Sequence, residues 1–165
     1  MPKWVILHYT AMNSAAEAIE RLCDPVHQVS AHYVISESGA VTQLVSEDMR
    51  AWHAGQSYWQ GCRDMNSASI GIELCNRGDH PFPAPQIHAL VTLLSGVCTR
   101  NDIPPNSVIG HSDIALRRKA DPGARFDWRA LAQMGFGVWA DPATATGVDA
   151  AVFDANLGRI GYDPD

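Results

Sequence analysis

The chain has 165 residues, 46% apolar and 18% charged, which is enough for one globular domain and excludes an intrinsically disordered protein. A formal net charge of −6 argues against nucleic acid or an anionic membrane surface as a partner, because both attract clustered Lys and Arg. The basic run in this chain is short and consists of Arg117, Arg118 and Lys119. We therefore expect no nucleic-acid partner.

The N-terminal segment lacks the features of a secretory leader. Its apolar run, Trp4–Leu7, is too short for the core of a signal peptide or for a membrane span. We therefore expect a cytoplasmic protein with no membrane segment. A leader lost by processing or recloning would instead place the protein in the periplasm or cell envelope.

Apolar runs bounded by turn residues alternate with segments of helical periodicity along the chain. This interleaving predicts an α/β fold with one central sheet flanked by helices. In chain order, the predicted elements are a strand over Lys3–His8, a helix from a capping box at Ser14–Glu17 to about Cys23, a hairpin of 32–35 and 40–45, a strand over Ser69–Leu74, a helix from Pro85 to about Arg100, a strand over Ser107–Ile109 and a short helix over Phe126–Met134.

The composition changes near the C-terminus. Residues 141–147 are small and turn-forming, which is typical of a linker, and Asp149–Leu157 has the pattern of an amphipathic helix. We therefore predict a catalytic domain over residues 1–140, followed by a linker and tail helix over 141–165. Because the tail would otherwise expose Val152, Phe153, Leu157 and Ile160, we expect it to dock on its own domain or on a second copy of the chain.

Two histidines and an aspartate are candidates for a metal site. His8 and His111 each lie where a predicted strand gives way to a loop, and Asp121 follows His111 after nine intervening residues. Two neutral imidazoles and one carboxylate leave a fourth position open, which is the pattern of catalytic zinc. From the residues alone, either histidine could instead be a packed or surface side chain.

A hydrolytic zinc site also needs a proton carrier and a group that offsets the developing negative charge. Glu73 is a candidate base, because a carboxylate within the apolar run Ser69–Leu74 is costly to bury without a role. Lys119, close to Asp121 in the chain, is a candidate for stabilising the oxyanion. The alternatives are a salt-bridged Glu73 and a solvated basic face around Lys119.

Several short segments, taken in order, resemble those of the type 2 N-acetylmuramoyl-L-alanine amidases, whose fold is shared by the peptidoglycan recognition proteins. The matching segments are V-I-L-H-Y-T (5–10), V-S-A-H-Y-V-I (29–35), A-W-H-A-G (51–55), S-I-G-I-E-L (69–74), G-H-S-D-I-A (110–115), R-K-A-D-P-G (118–123) and F-D-W (126–128). The resemblance implies a zinc ion held by His8, His111 and Asp121, with Glu73 and Lys119 in catalytic roles. It also implies a mixed sheet flanked by helices, with the zinc in a surface groove.

The resemblance further implies hydrolysis of the amide bond between the lactyl group of N-acetylmuramic or anhydromuramic acid and L-alanine. Peptidoglycan fragments or muropeptides are then the expected partners. Trp52 and His53 are candidate substrate contacts in a groove-lining segment, and Arg63 is a candidate contact to a stem-peptide carboxylate. The tail resembles the start of a peptidoglycan-binding module.

Three other interpretations stay open at this point. The chain could be a non-catalytic protein of the same fold that binds peptidoglycan fragments, or a zinc peptidase that cuts inside the stem peptide. A cysteine hydrolase is a weaker alternative, because no cysteine lies in a matched catalytic segment. The sequence is compatible with a monomer or a dimer.

Overall fold

The computed structural model describes residues 1–140 and 149–163. Its strands are β1 (Trp4–Tyr9), β2 (Tyr33–Ile35), β3 (Val41–Gln43), β4 (Ser69–Leu74) and β5 (Val108–Gly110). Its helices are α1 (Ala15–Cys23), α2 (Met65–Ala68), α3 (Ala84–Asn101), α4 (His111–Ile114), α5 (Trp128–Gln133) and α6 (Ala150–Ile160), with 3₁₀ turns at Pro25–His27 and Pro105–Ser107. Within these ranges, no helix combines the length and the apolarity that a membrane crossing requires.

The five strands form one sheet in the order β3-β2-β4-β1-β5. β1 is parallel to β4 and β5, and β2 is parallel to β4, whereas β2 and β3 form an antiparallel hairpin at the edge. Gly39 in the hairpin turn has a φ of 88°, and a Cβ there would lie 2.7 Å from the Pro85 carbonyl oxygen. The predicted single mixed sheet flanked by helices is therefore confirmed.

Both faces of the sheet are covered, so β1 is buried on both sides. Along β1, Val5 and Leu7 pack in the core beneath α3, whereas Trp4 and Ile6 belong to a second cluster on the opposite face. This explains why β1 is a continuous apolar run and not an alternating one. The buried face of α3 contributes Leu90, Leu94, Val97 and Cys98.

The predicted elements are present, with ends shifted by a few residues, and two short helices were not predicted. α2 and α4 have four residues each, which is too short to show a helical period in the sequence. His111, predicted to open a loop, is therefore the first residue of α4. At α1, Ser14 caps the helix as expected, but the Glu17 carboxylate accepts from the Asn13 amide, so the predicted capping box is incomplete.

The tail contains the predicted helix, as α6, whereas the predicted linker at 141–147 lies outside the described residues. The tail contacts the main body through the turn that follows α6. The backbone amide of Gln60 donates to the Gly161 carbonyl at 2.9 Å, and the Tyr162 ring meets Trp59 edge-on with 4.9 Å between centroids. The Tyr162 hydroxyl also donates to Asp113 at 2.7 Å.

The apolar face of the tail helix packs only in part on its own domain, since Leu157 is half-buried, and docking on a second copy of the chain stays a prediction. Val152, Phe153 and Ile160 remain 56%, 53% and 55% exposed. Tyr162 supplies both a ring and a hydroxyl, so it adds packing and a polar contact to the backbone hydrogen bond between Gln60 and Gly161. The division of the chain at residue 140 stays a prediction.

Gln86 offers a test of how α3 is fixed to the sheet. Its buried side-chain amide donates to the Ile35 carbonyl at 2.9 Å and the Cys75 carbonyl at 3.0 Å, next to the ends of β2 and β4. Gln86→Leu should lower the free energy of unfolding by about 1–3 kcal/mol, because the Cys75 carbonyl would lose its buried donor. Urea unfolding measures the change, with exposed His88→Leu on the same helix as the control. Equal stabilities of the two variants would contradict this account.

Candidate metal centre

The register of the two central strands places His8 beside Glu73. β1 and β4 are parallel, and Cα partners run from Trp4 with Ser69 to Tyr9 with Leu74, so His8 pairs with Glu73. Because side chains alternate along a strand, both residues point to the face opposite α3. They lie near the C-terminal ends of their strands, where sites on α/β sheets usually form.

A loop that folds back on itself brings Asp121 to His111. The Ser112 amide donates to the Asp121 carbonyl at 2.9 Å, which joins the two ends of the loop. A Cβ on Gly110 would lie 2.9 Å from Cδ of Pro122, so only a glycine allows this approach without a shift. Gly123, with a φ of 81°, then turns the chain away from the site.

Three potential ligand atoms converge at this point. His8 Nδ1 lies 2.9 Å from His111 Nδ1, and each of these nitrogens lies 3.0 Å from Asp121 Oδ2. All three residues are buried, and they form a group that could hold a metal ion. Ligand atoms around tetrahedral zinc lie about 3.3 Å apart, given bonds of ~2.0–2.2 Å. The observed triangle is close to that size, so the three residues fit a metal.

The charge states of the group also suit a metal. Burial lowers the pKa of His8 to about 4, against the opposing hydrogen bond with Asp121, so His8 is a neutral imidazole at neutral pH. Burial disfavours the ionised form of Asp121, but hydrogen bonds with His111 and His8 outweigh it and lower the pKa of its carboxyl. Neutral imidazole and ionised carboxylate are the forms that ligate zinc.

Glu73 is the unpaired carboxylate of the site. Burial, reinforced by the negative charge of Asp121, raises its pKa to about 8, and the positive charge of Lys119 opposes this shift. Among the described residues, its buried Oε2 has no hydrogen-bond partner. The alternative of a Glu73 salt bridge therefore finds no support there, and the carboxyl is free to exchange protons with a bound molecule.

A cavity of about 510 Å³ surrounds these groups, and its lining includes His8, Glu73, His111, Lys119 and Asp121. The five residues predicted for metal binding and catalysis therefore share one cavity. Lys119 is exposed at the rim, whereas the three candidate ligands are buried.

Trp52 also lines the cavity and is 56% exposed. The Arg50 guanidinium carbon lies over the Trp52 ring, 4.2 Å from its centroid. Arg50 in turn donates to Asp64, the N-cap of α2. The Trp52 ring therefore packs against an arginine that is itself paired with an aspartate.

The other two candidate substrate contacts differ in their relation to this cavity. His53 belongs to the lining of the cavity but is largely buried, and its Nδ1 lies 3.0 Å from His8 Nε2. Arg63 is absent from the lining of this cavity; its guanidinium lies 3.6 Å from Asp163 and over the Tyr58 ring. Substrate contacts by His53 and Arg63 stay predictions.

The family whose sequence profile matches residues 1–124 is described as N-acetylmuramoyl-L-alanine amidase. The chain belongs to this family. It is 39% identical to the N-acetylmuramoyl-L-alanine amidase AmiD of Escherichia coli K12, over 98% of this chain and 67% of that protein. It is also 41% identical to the 1,6-anhydro-N-acetylmuramyl-L-alanine amidase AmpD of Haemophilus influenzae, over 61% of this chain and 55% of that protein. The chain is therefore an amidase. It spans about two thirds of the length of AmiD and about half of the length of AmpD.

Solved structures of related amidases share the fold. Escherichia coli AmiD, in complex with anhydro-N-acetylmuramic acid-L-Ala-D-gamma-Glu-L-Lys, superimposes with a TM-score of 0.89 and 39% identity over 98% of this chain and 72% of that chain. AmpDh3 of Pseudomonas aeruginosa, in complex with an anhydromuramic pentapeptide, gives a TM-score of 0.87 and 32% identity over 98% of this chain and 74% of that chain.

Sequence reasoning missed the groups that surround the ligands of this amidase. The Ala54 carbonyl lies 3.0 Å from His111 Nε2 and accepts from Arg118 at 2.8 Å. Asn66 is buried and accepts from the backbone of the 51–55 segment. A backbone carbonyl leaves no signal in a sequence, and Asn66 lies outside the segments that carried the resemblance.

The raised pKa of Glu73 predicts a pH-dependent gain in stability when its charge is removed. The pKa of about 8 in the folded chain exceeds the ordinary value of 4.5. Between these values the folded state binds more protons than the unfolded state, so the free energy of unfolding falls as pH rises. In chelator-treated protein, Glu73→Gln should therefore exceed the wild type in stability at about pH 8, and the difference should largely disappear near about pH 4.5.

Thermal unfolding at several pH values measures this difference. The matched control is Glu20→Gln, which changes an exposed carboxylate on α1. A Glu73→Gln stability that tracks the wild type at every pH would show that burial does not disfavour the charge on Glu73.

Proposed function

We propose that this chain is a zinc-dependent amidase that hydrolyses the bond between the lactyl group of N-acetylmuramic or anhydromuramic acid and L-alanine of the stem peptide. The observation that carries the proposal is one cavity holding a triangle of ligand atoms 2.9–3.0 Å apart and a buried carboxyl without a partner among the described residues. A metal centre next to an unpaired proton carrier is the arrangement that metal-assisted amide hydrolysis requires.

His8, His111 and Asp121 would hold the zinc. They offer two ring nitrogens and one carboxylate oxygen, a donor set common to catalytic zinc sites with an open fourth position. When bound, zinc supplies a water whose pKa is lowered toward ~7 and an electrophile for the amide carbonyl oxygen.

Glu73 carries the proton in this proposal. Its carboxylate accepts a proton from the attacking water and then donates it to the nitrogen of the leaving alanine. The role requires a pKa near the working pH, and burial raises the pKa of Glu73 toward that range. A nearby cation would favour the ionised form that accepts the proton.

Lys119 offsets the negative charge that develops on the amide carbonyl oxygen. Its ammonium group lies at the rim of the cavity and on the flexible stem typical of lysine, so it can approach a substrate that enters there. Trp52, at the same rim, offers an aromatic face to the sugar or the peptide.

The relatives support muropeptides as the substrate class. AmiD and AmpDh3 are both known in complex with anhydromuramyl peptides, and AmpD is named for the 1,6-anhydro sugar. We therefore propose activity on soluble anhydro-muropeptides, and do not restrict the chain to them, since the cavity is open at its rim. The cytoplasmic location and the oligomeric state stay predictions.

Replacing Glu73 should separate proton transfer from metal binding. Glu73→Gln keeps the shape of the side chain but not its basicity, so turnover should fall by about 10²–10⁴-fold while zinc content is unchanged. Release of L-alanine-terminated peptide from anhydro-muropeptide, with zinc measured on the same sample, tests this. Wild-type turnover in folded Glu73→Gln would leave Glu73 with a structural role alone.

The bond that is cut and the metal requirement can be tested in one experiment. Mass spectrometry of products from anhydro-muropeptide should show free anhydromuramic acid and an intact stem peptide. A chelator should abolish this product, zinc should restore it, and His111→Ala should show low zinc content and little product. Shortened peptides would indicate a zinc peptidase, and binding without any product would indicate a non-catalytic binding protein.

A further inference from the structure

The outer ring nitrogens of both candidate histidine ligands contact consecutive residues of one segment. His8 Nε2 lies 3.0 Å from His53 Nδ1, and His111 Nε2 lies 3.0 Å from the carbonyl oxygen of Ala54. His8 comes from β1 and His111 from α4, so two separate elements are joined behind the metal site by a single dipeptide. We define His53 and Ala54 as the outer support.

The outer support is itself held from behind. Oδ1 of buried Asn66 accepts from the backbone amides of both His53 and Ala54, at 2.9 and 2.8 Å. On the other side, the Arg118 guanidinium donates to the Ala54 carbonyl at 2.8 Å. Asn66 belongs to α2, directly before β4, so the support is tied to the strand that carries Glu73.

The packing of the His53 ring shows that its position is built into the sheet. A Cβ on Gly71 of β4 would lie 2.4 Å from His53 Cγ and 2.6 Å from its Nδ1. Strand interiors disfavour glycine, because it contributes no side chain to the packing. Here the missing side chain makes room for the ring that contacts His8.

We propose that His53 and Ala54 are positioning residues that orient both histidine ligands and fix their tautomers by accepting a hydrogen bond from each outer ring N–H. A histidine that donates from Nε2 leaves the lone pair of Nδ1 for the metal, and Nδ1 of both residues faces Asp121. In this role, His53 acts through His8. The inference rests on the proposed zinc site and concerns what holds its ligands.

Two substitutions of similar shape test the acceptor. Asn has an amide oxygen near the position of the histidine Nδ1, whereas Leu has the same branching and no acceptor. His53→Leu should weaken zinc binding by about 10–100-fold, the effect typical of losing an outer-shell partner. His53→Asn should retain most of the affinity. Chelator competition measures both, and the visible spectrum of the Co(II)-substituted protein should change in His53→Leu.

A second pair of variants changes Asn66, which binds the backbone of the outer support, and leaves the side chains of His53 and Ala54 unaltered. Asn66→Asp keeps the oxygen that accepts from the two backbone amides, and Asn66→Ala removes it. Zinc affinity should fall in Asn66→Ala and be largely kept in Asn66→Asp, even if His53→Leu fails to fold. Thermal unfolding of the chelator-treated proteins checks that each variant is folded.

The outcomes separate this inference from the proposed function. Wild-type zinc affinity in folded His53→Leu or Asn66→Ala would overturn the outer support alone. Equal losses in His53→Leu and His53→Asn would also overturn it, because they would make the role one of packing. A wild-type chain that binds no zinc would overturn the proposed metal and this inference together.

Discussion

Parallel pairing of β1 with β4, in the register that sets His8 beside Glu73, is the constraint on which the rest of the site depends. Both residues point away from α3 and lie near the ends of strands buried on both faces. A slip of one residue would turn every side chain of a strand to the opposite face. The continuous apolar cores on both sides of the sheet therefore fix the position of His8, a candidate metal ligand, relative to Glu73.

Loops supply the other groups of the candidate site. The 111–121 loop carries two candidate ligands on one folded-back segment, closed by the hydrogen bond from the Ser112 amide to the Asp121 carbonyl. The 51–55 segment closes the site from behind, and Asn66 connects it to the start of β4. Precise ligand geometry thus rests on backbone contacts between loops and a rigid sheet, which is how a functional site avoids the mobility of its loops.

Burying the charged groups of the site costs free energy of folding, although the same groups suit the proposed chemistry. The chain buries two imidazoles, an ionised Asp121 and a carboxyl whose pKa is raised by burial. A cation among the ligands would compensate Asp121 and ease the ionisation of Glu73. The burial that raises the pKa of Glu73 would suit proton transfer at neutral pH and should lower the stability of the metal-free chain, a common trade-off in active sites.

The sequence by itself determined the α/β class, the main strands and helices, and the candidate metal-binding and catalytic residues. Apolar runs, caps and turns are local patterns, and the ligand types carry their chemistry wherever they lie.

The tertiary structure decided which groups meet. Only the β1–β4 register places Glu73 beside His8, and only the fold brings the His53 ring over Gly71 and into contact with His8. Likewise, the pattern of Val152 and Phe153 predicted a docking face on α6, but the tail is held through Gly161 and Tyr162. The physical reason is that periodicity records which residues are apolar, whereas contact between distant segments depends on register and on available space.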